Sequence, residues 1–125
     1  MDNVKLSFSV PQEDELATNV LSGGVSPYMP LVFMPQEHEY RPYFSFREAE
    51  PNAKQRWISA FTHFLKKLTV RTGGRRLLLK SPVHTARVEL LLQLFPKAQF
   101  VYIHRDPYTV FQSAMHMADT TYWLV

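Results

Sequence analysis

The sequence predicts an α/β fold: a parallel βαβ unit, with strands at about 76–80 and 99–104, flanked by helices. Two short apolar runs predict the strands. Leu77-Leu78-Leu79 ends in Lys80-Ser81-Pro82, and Phe100-Val101-Tyr102-Ile103 ends in His104-Arg105-Asp106-Pro107. An apolar run that stops abruptly at polar and turn residues reads as a buried strand whose last residue emerges into solvent. The connecting stretch is the third observation. Thr85 to Phe95 places Val88, Leu91, Leu92 and Phe95 on the inner side of a helix. Strand, helix, strand, helix at this spacing is a right-handed crossover unit. Two strands alone make a poor core, so the unit is expected to belong to a larger sheet.

The other elements follow from local chemistry. Val4 to Val10 alternates apolar and polar residues and reads as extended. Pro11 starts a short helix through about Leu21, with Glu13, Asp14 and Glu15 in its first turn, where the helix dipole favours acids. Gly23-Gly24 ends it. From Val25 to Glu50 the chain is rich in proline and aromatics, which reads as irregular or short helical structure covering a substrate region. The clearest helix runs from about Pro51 to Thr72. Trp57, Phe61, Phe64, Leu65 and Leu68 make one apolar stripe along it, and Gly73-Gly74 stops it. Tyr108 to about Trp123 is the last helix.

In open α/β sheets, ligands sit where strands end and the next helix begins. Two strands delivering Lys80 and Arg105 to that edge make a pocket for an anion, phosphate or sulfate. Ser113 lies eight residues after Arg105, about two turns along a helix that opens at Pro107. A guanidinium at the strand end and a hydroxyl on the helix can hold one phosphate between them, the planar guanidinium by two parallel bonds. The plainer alternative is that Arg105 pairs with Asp106 or a surface carboxylate and Ser113 caps the helix or faces solvent. His84 starts the helix after Lys80 and is a candidate to orient a leaving group or donate to phosphate; capping or exposure is the competing reading. His104 points away from Arg105 by strand alternation and reads as structural.

Charge is unevenly distributed. Residues 1–53 hold three basic residues against eight acids, whereas residues 54–105 hold eleven basic residues against one acid, Glu89. A positive block around an anion pocket raises local ligand concentration and association rate. No aromatic platform interleaves with these cations as single-strand binders require, so no nucleic-acid partner is expected. Lys66-Lys67 and Arg71 read as a solvated helix face. At 125 residues the chain is one domain at most, with ordinary globular composition: 46% hydrophobic and 20% charged. Zero cysteines exclude a disulfide framework and fit a reducing, cytoplasmic setting. No H-E-x-x-H pair is present, so no catalytic metal is expected. No apolar run approaches the ~20 residues of a membrane helix, and Met1-Asp2-Asn3 lacks the basic start of a leader.

Leu79-Lys80-Ser81-Pro82-Val83-His84, Leu94-Phe95-Pro96-Lys97-Ala98-Gln99-Phe100-Val101, and His104-Arg105-Asp106-Pro107 with Ser113 resemble sulfotransferases that use 3′-phosphoadenosine 5′-phosphosulfate. Pro11-Gln12-Glu13-Asp14-Glu15 and Ser26-Pro27-Tyr28 extend the likeness over most of the chain. The resemblance implies a partial P-loop-like sulfotransferase fold. Residues 1–50 would lie on the substrate side and residues 51–125 would supply a helix plus a βαβα cofactor-binding part. It implies that Arg105 and Ser113 bind the 3′-phosphate and that Lys80 approaches the transferred sulfuryl group. The acceptor would be a hydroxyl or amine of a small molecule, lipid or carbohydrate. One departure stands out. The family's strand, Gly/Ser/Thr loop and helix N-terminus for the 5′-phosphosulfate have no counterpart before Lys80, so the chain is expected to be a central fragment, inactive alone. Glu13 and Glu15 are candidate general bases, with dipole complementation as the alternative. The competing function is a non-catalytic nucleotide-anion binding module or an inactive fragment. A nucleoside-triphosphate enzyme is a weak third, because no G-x-x-x-x-G-K-[ST] loop is present.

Overall fold

The computed structural model describes residues 10–31 and 34–121. They fall into two compact units: Gln12–Lys97, and the stretch from Ala98 onward with Val10 and Pro11. Most of the alternating segment expected at Val4 to Val10, and the end of the last helix near Trp123, lie outside the described residues.

The first unit contains four helices: α1 (Asp14–Ser22), α2 (Glu37–Tyr40), α3 (Pro51–Arg71) and α4 (Val88–Leu94). Short 3₁₀ turns at Met29–Leu31, Met34–Gln36, Arg41–Tyr43 and Pro82–Ala86 link them. The proline- and aromatic-rich stretch thus forms short helical pieces, as its composition suggested. Helix α3 organises the unit. Pro51 opens it, since a proline at the first position loses no hydrogen bond. Its apolar stripe buries Ala53, Trp57, Ala60 and Phe61. Val25, Phe46, Leu90 and Leu91 complete the core. Trp57 stacks on Phe61 with ring centroids 4.8 Å apart, and Phe46 lies 5.2 Å from Trp57.

Helix α1 packs along α3 and stops where its glycines demand. Gly23 takes the left-handed conformation, φ 68°, and the Gly24 N–H reaches the Asn19 carbonyl at 3.0 Å. Arg56 of α3 donates to the carbonyls of Ser22 and Gly23 at 2.6 and 3.2 Å. A Cβ at position 23 would lie 3.0 Å from that guanidinium, so glycine serves both the turn and the close approach. Phe46 is the single described non-glycine residue at positive φ, 60°. The left-handed conformation costs roughly 1–2 kcal/mol, and burial of the ring among Tyr43, Trp57 and Arg87 holds it there.

The predicted α/β class is not what the structure shows. Among the described residues there is no strand; the chain is helical with irregular connections. Residues 75–81 and 98–106 carry no regular secondary structure, and the two segments belong to different units. A strand exists only by pairing its backbone N–H and C=O groups with a neighbour. The apolar character that suggested burial is instead exposed: Leu78 is 92% exposed and Val101 84%. The parallel βαβ unit, and the P-loop-like assignment resting on it, are therefore corrected.

The helix after Lys80 also differs from expectation. A 3₁₀ turn occupies Pro82–Ala86, and α4 begins only at Val88. Leu90 and Leu91 face the core, whereas Val88 and Leu92 are 37% and 41% exposed. Three residues per turn in the 3₁₀ segment, against 3.6 in an α-helix, rotate the inward face and bring Arg87 inside.

In the second unit, α5 (Pro107–Thr121) follows residues 98–106. Asp106 caps it, accepting from the Thr109 N–H at 2.8 Å and the Thr109 hydroxyl at 2.9 Å. The Thr109 backbone bond, then its hydroxyl, hold the Asp106 carboxyl below the usual carboxylate range.

Candidate functional site

Three consecutive acids at the start of α1 meet three bases spaced along residues 80–87, in order. Glu13 pairs with Lys80. Asp14 Oδ2 lies 2.7 Å from His84 Nε2. Glu15 meets Arg87 at 2.5 Å. Glu13 is the extended residue before α1, and Asp14 and Glu15 are its first helical residues, so the carboxylates fan out about the helix axis. The bases come from a residue ahead of a 3₁₀ turn, from that turn and from the residue that ends it, which spreads them to match. The pairs also grade in burial. Lys80 is 76% exposed and its Glu13 25%, His84 and Asp14 are nearly enclosed, and Arg87 and Glu15 are wholly buried.

The innermost pair is braced on every side. Arg87 Nη1 and Nη2 donate to the two Glu15 oxygens at 2.5 and 3.1 Å. Its remaining donors reach the carbonyls of Tyr43 and Phe44, the closest at 2.6 Å. The guanidinium lies over the Trp57 ring at 4.5 Å and the Phe46 ring at 4.8 Å. Burial draws the Arg87 pKa down and the Glu15 bonds oppose it. Ser26 donates to Glu15 Oε1 at 2.7 Å and accepts from the Tyr28 N–H at 3.1 Å.

The middle pair has chemistry left over. His84 sits edge-on to Phe61, 5.7 Å between centroids. With Nε2 engaged by Asp14, His84 Nδ1 is buried without a partner among the described residues, as is Asp14 Oδ1. An unmade buried hydrogen bond costs about 1–3 kcal/mol, so a ligand hydroxyl reaching this imidazole would recover part of that cost.

The outermost pair is held by a phenol. Tyr28 OH donates to Glu13 Oε2 at 2.5 Å while Glu13 Oε1 faces Lys80. Burial, then the Glu13 bond, pushes the Tyr28 phenol up to about 12. It therefore stays a donor throughout the physiological range. A pKa raised on folding means that the native state holds the proton more tightly, so this contribution is complete below pH about 10 and is lost as pH rises from about 10 to about 12. Ultraviolet titration of Tyr28→Phe is expected to lack the last-ionising tyrosine; an unchanged titration curve would count against the assignment.

Of the residues singled out from sequence, Lys80, Glu13, Glu15 and His84 come together here, with both Glu15 oxygens taken by Arg87 and Ser26. Arg105 and Ser113 belong to the other unit, where both are exposed: Arg105 before α5, Ser113 on it. The alternative pairing of Arg105 with Asp106 is not seen; Asp106 caps its helix instead. Asp14 and Arg87 are cluster members that no motif in the sequence marks, and Tyr28 and Ser26 stand out in it only as points of resemblance. The signal for Arg87 was a cation inside an otherwise apolar pattern, between Val83 and Leu90-Leu91. For Glu13 to Glu15, helix-dipole complementation explained the acids too readily to reveal their distant partners.

The segments that build this cluster lie within a family match. The sulfotransferase family profile covers residues 8–124. The chain belongs to the sulfotransferase family. It is 34% identical over 122 residues to the omega-hydroxy-beta-dihydromenaquinone-9 sulfotransferases of Mycobacterium bovis and Mycobacterium tuberculosis, covering 98% of this chain and 31% of each relative. The chain thus spans about a third of the length of these curated relatives. No solved structure matches it. Among the described residues of this sulfotransferase chain, no helix is long and apolar enough to cross a membrane.

Proposed function

We propose that this chain carries part of the transfer site of an enzyme that moves a sulfuryl group from 3′-phosphoadenosine 5′-phosphosulfate to a hydroxyl of a lipid acceptor. One observation carries the reading: in a sulfotransferase-family chain, the acids of α1 gather Lys80 and His84 into one cluster. The lipid acceptor rests on the relatives' names.

The donor supplies an activated sulfuryl group; the chain must take one proton and stabilise one leaving charge. In the attack, the acceptor oxygen forms a bond to sulfur while the bond from sulfur to the 5′-phosphate oxygen breaks. His84 takes the acceptor proton at Nδ1. Asp14 fixes the tautomer by accepting from Nε2 and stabilises the imidazolium that results. Lys80, largely exposed, turns to the charge left on the phosphate. Both Glu13 oxygens are already engaged, by Lys80 and Tyr28, so Glu13 positions Lys80 rather than accepting the proton. Arg105 and Ser113 serve the 3′-phosphate.

The test uses the full-length protein. Lys80→Ala is expected to lower turnover more than it raises the donor's Michaelis constant, the pattern of an interaction made mainly in the transition state. Arg105→Ala is expected to weaken calorimetric binding of adenosine 3′,5′-bisphosphate by about 1.5–3 kcal/mol, the range for a hydrogen bond to a charged group. Tight binding with no transfer to any hydroxyl acceptor would support a binding module instead, and unchanged affinity in Arg105→Ala would reject that residue's role.

A further inference from the structure

The C-terminal half of α3 carries a feature that the transfer site does not use. His63, Lys66, Lys67, Val70 and Arg71 line a shallow groove of about 360 Å³. Their spacing, i, i+3, i+4, i+7, i+8, places them on one face of the helix. All five are exposed, Val70 to 82%. Every residue that α3 buries fully lies between Ala53 and Phe61, so the last turns are not enclosed by the core.

The charge on this face is not balanced locally. From Pro51 to Val88 the sequence contains no acid. None of Lys66, Lys67 and Arg71 has an acidic partner among the described residues. A solvated helix face normally alternates the signs of its charges; this one presents cations alone, with Arg75 following in the chain.

We propose that this face of α3 docks on the surface of an anionic phospholipid bilayer. The groove joins two features that such a surface matches. Its rim is cationic, which suits phosphate headgroups. The groove also presents the exposed apolar Val70, and lysine side chains carry methylene stems, which suits the boundary between headgroup and acyl chain. A nucleic acid would use the charge but not the exposed Val70, and the groove is lined by no Phe, Tyr or Trp on which a base could stack. The purpose of the docking rests on the lipid-acceptor reading: a sulfotransferase whose acceptor is dissolved in a bilayer gains by residing on it.

The test is co-sedimentation of the full-length protein with phosphatidylcholine vesicles, with and without phosphatidylglycerol. Binding is expected only with the anionic lipid. It should fall at least about tenfold in Lys66→Glu/Lys67→Glu/Arg71→Glu, since each basic residue near such a surface contributes substantially, and fade at roughly 0.5 M salt as screening shortens the range of attraction. A Lys66→Gln/Lys67→Gln/Arg71→Gln variant should show a smaller drop and guards against misfolding in the charge-reversed protein. Lys80→Ala should bind vesicles as the parent does. Vesicle binding by a protein with no transferase activity would uphold the docking surface and overturn the proposed enzymatic function. Equal binding by the charge-reversed variant, equal binding to neutral vesicles, or tighter binding to duplex DNA than to anionic vesicles at the same salt would each overturn the docking proposal.

Discussion

Arg87→Ala is expected to destabilise the fold by about 3–5 kcal/mol, read as a lower urea midpoint. Removing one member of a fully buried ion pair leaves the other charge without compensation. Glu15 would keep only the Ser26 hydroxyl at 2.7 Å, and the Tyr43 and Phe44 carbonyls would lose the donor that faces them. Such a loss is a large share of a small domain's stability, so a milder variant is needed alongside. Arg87→Lys keeps the charge but loses the planar fork and the stacking on Phe46 and Trp57. It should fall between the parent and the alanine variant. Glu15→Gln combined with Arg87→Met removes both charges together and should recover part of the deficit. A loss below about 1 kcal/mol in Arg87→Ala would show that the pair is not what holds α1 to the Pro82–Ala86 turn.

His84→Ala in the full-length enzyme is expected to lower turnover by about 10²–10⁴-fold, the usual contribution of a positioned acid–base group. The donor's Michaelis constant should change little, because the role proposed for His84 is on the acceptor. Asp14→Asn should lose less: the amide keeps the shape beside Nε2 but cannot stabilise the imidazolium by charge. Undiminished turnover in His84→Ala would place the base elsewhere.

Those two predictions rest on residues that the sequence displayed unequally. Helix α3 was legible because one stripe, Trp57 to Leu68, agrees with its caps: Pro51 opens the helix and Gly73 follows its end. Helix α1 was legible from the acids near its start and the Gly23 turn at its end, although it opens at Asp14 rather than Pro11 and leaves Glu13 extended before it. The strands misled because apolar character records a preference for burial, while a strand depends on partners elsewhere. Leu77 and Leu79 are half-buried with Leu78 exposed, so even the period of two is present without a ladder. Lys80, Glu13 and His84 were identified by type and family likeness. Their pairing was hidden because nothing local in Glu13-Asp14-Glu15 indicates which distant cations will meet it. The helix after Lys80 was placed one turn too early because Pro82 and its neighbours satisfy a 3₁₀ turn as readily as an α-helical start.

The separation of these partners along the chain has a kinetic consequence. The three pairs join residues 67, 70 and 72 positions apart. Helices α1 and α3 can form from neighbouring residues within microseconds. The pairs can form only after a loop of that length closes, and its entropy must be met before any of them contributes. A protein assembled in this order should acquire the proximity of Asp14 and His84 at the end of folding rather than during it. In a chevron experiment, substitutions at Glu15 or Arg87 should then accelerate unfolding while leaving the refolding limb nearly unchanged.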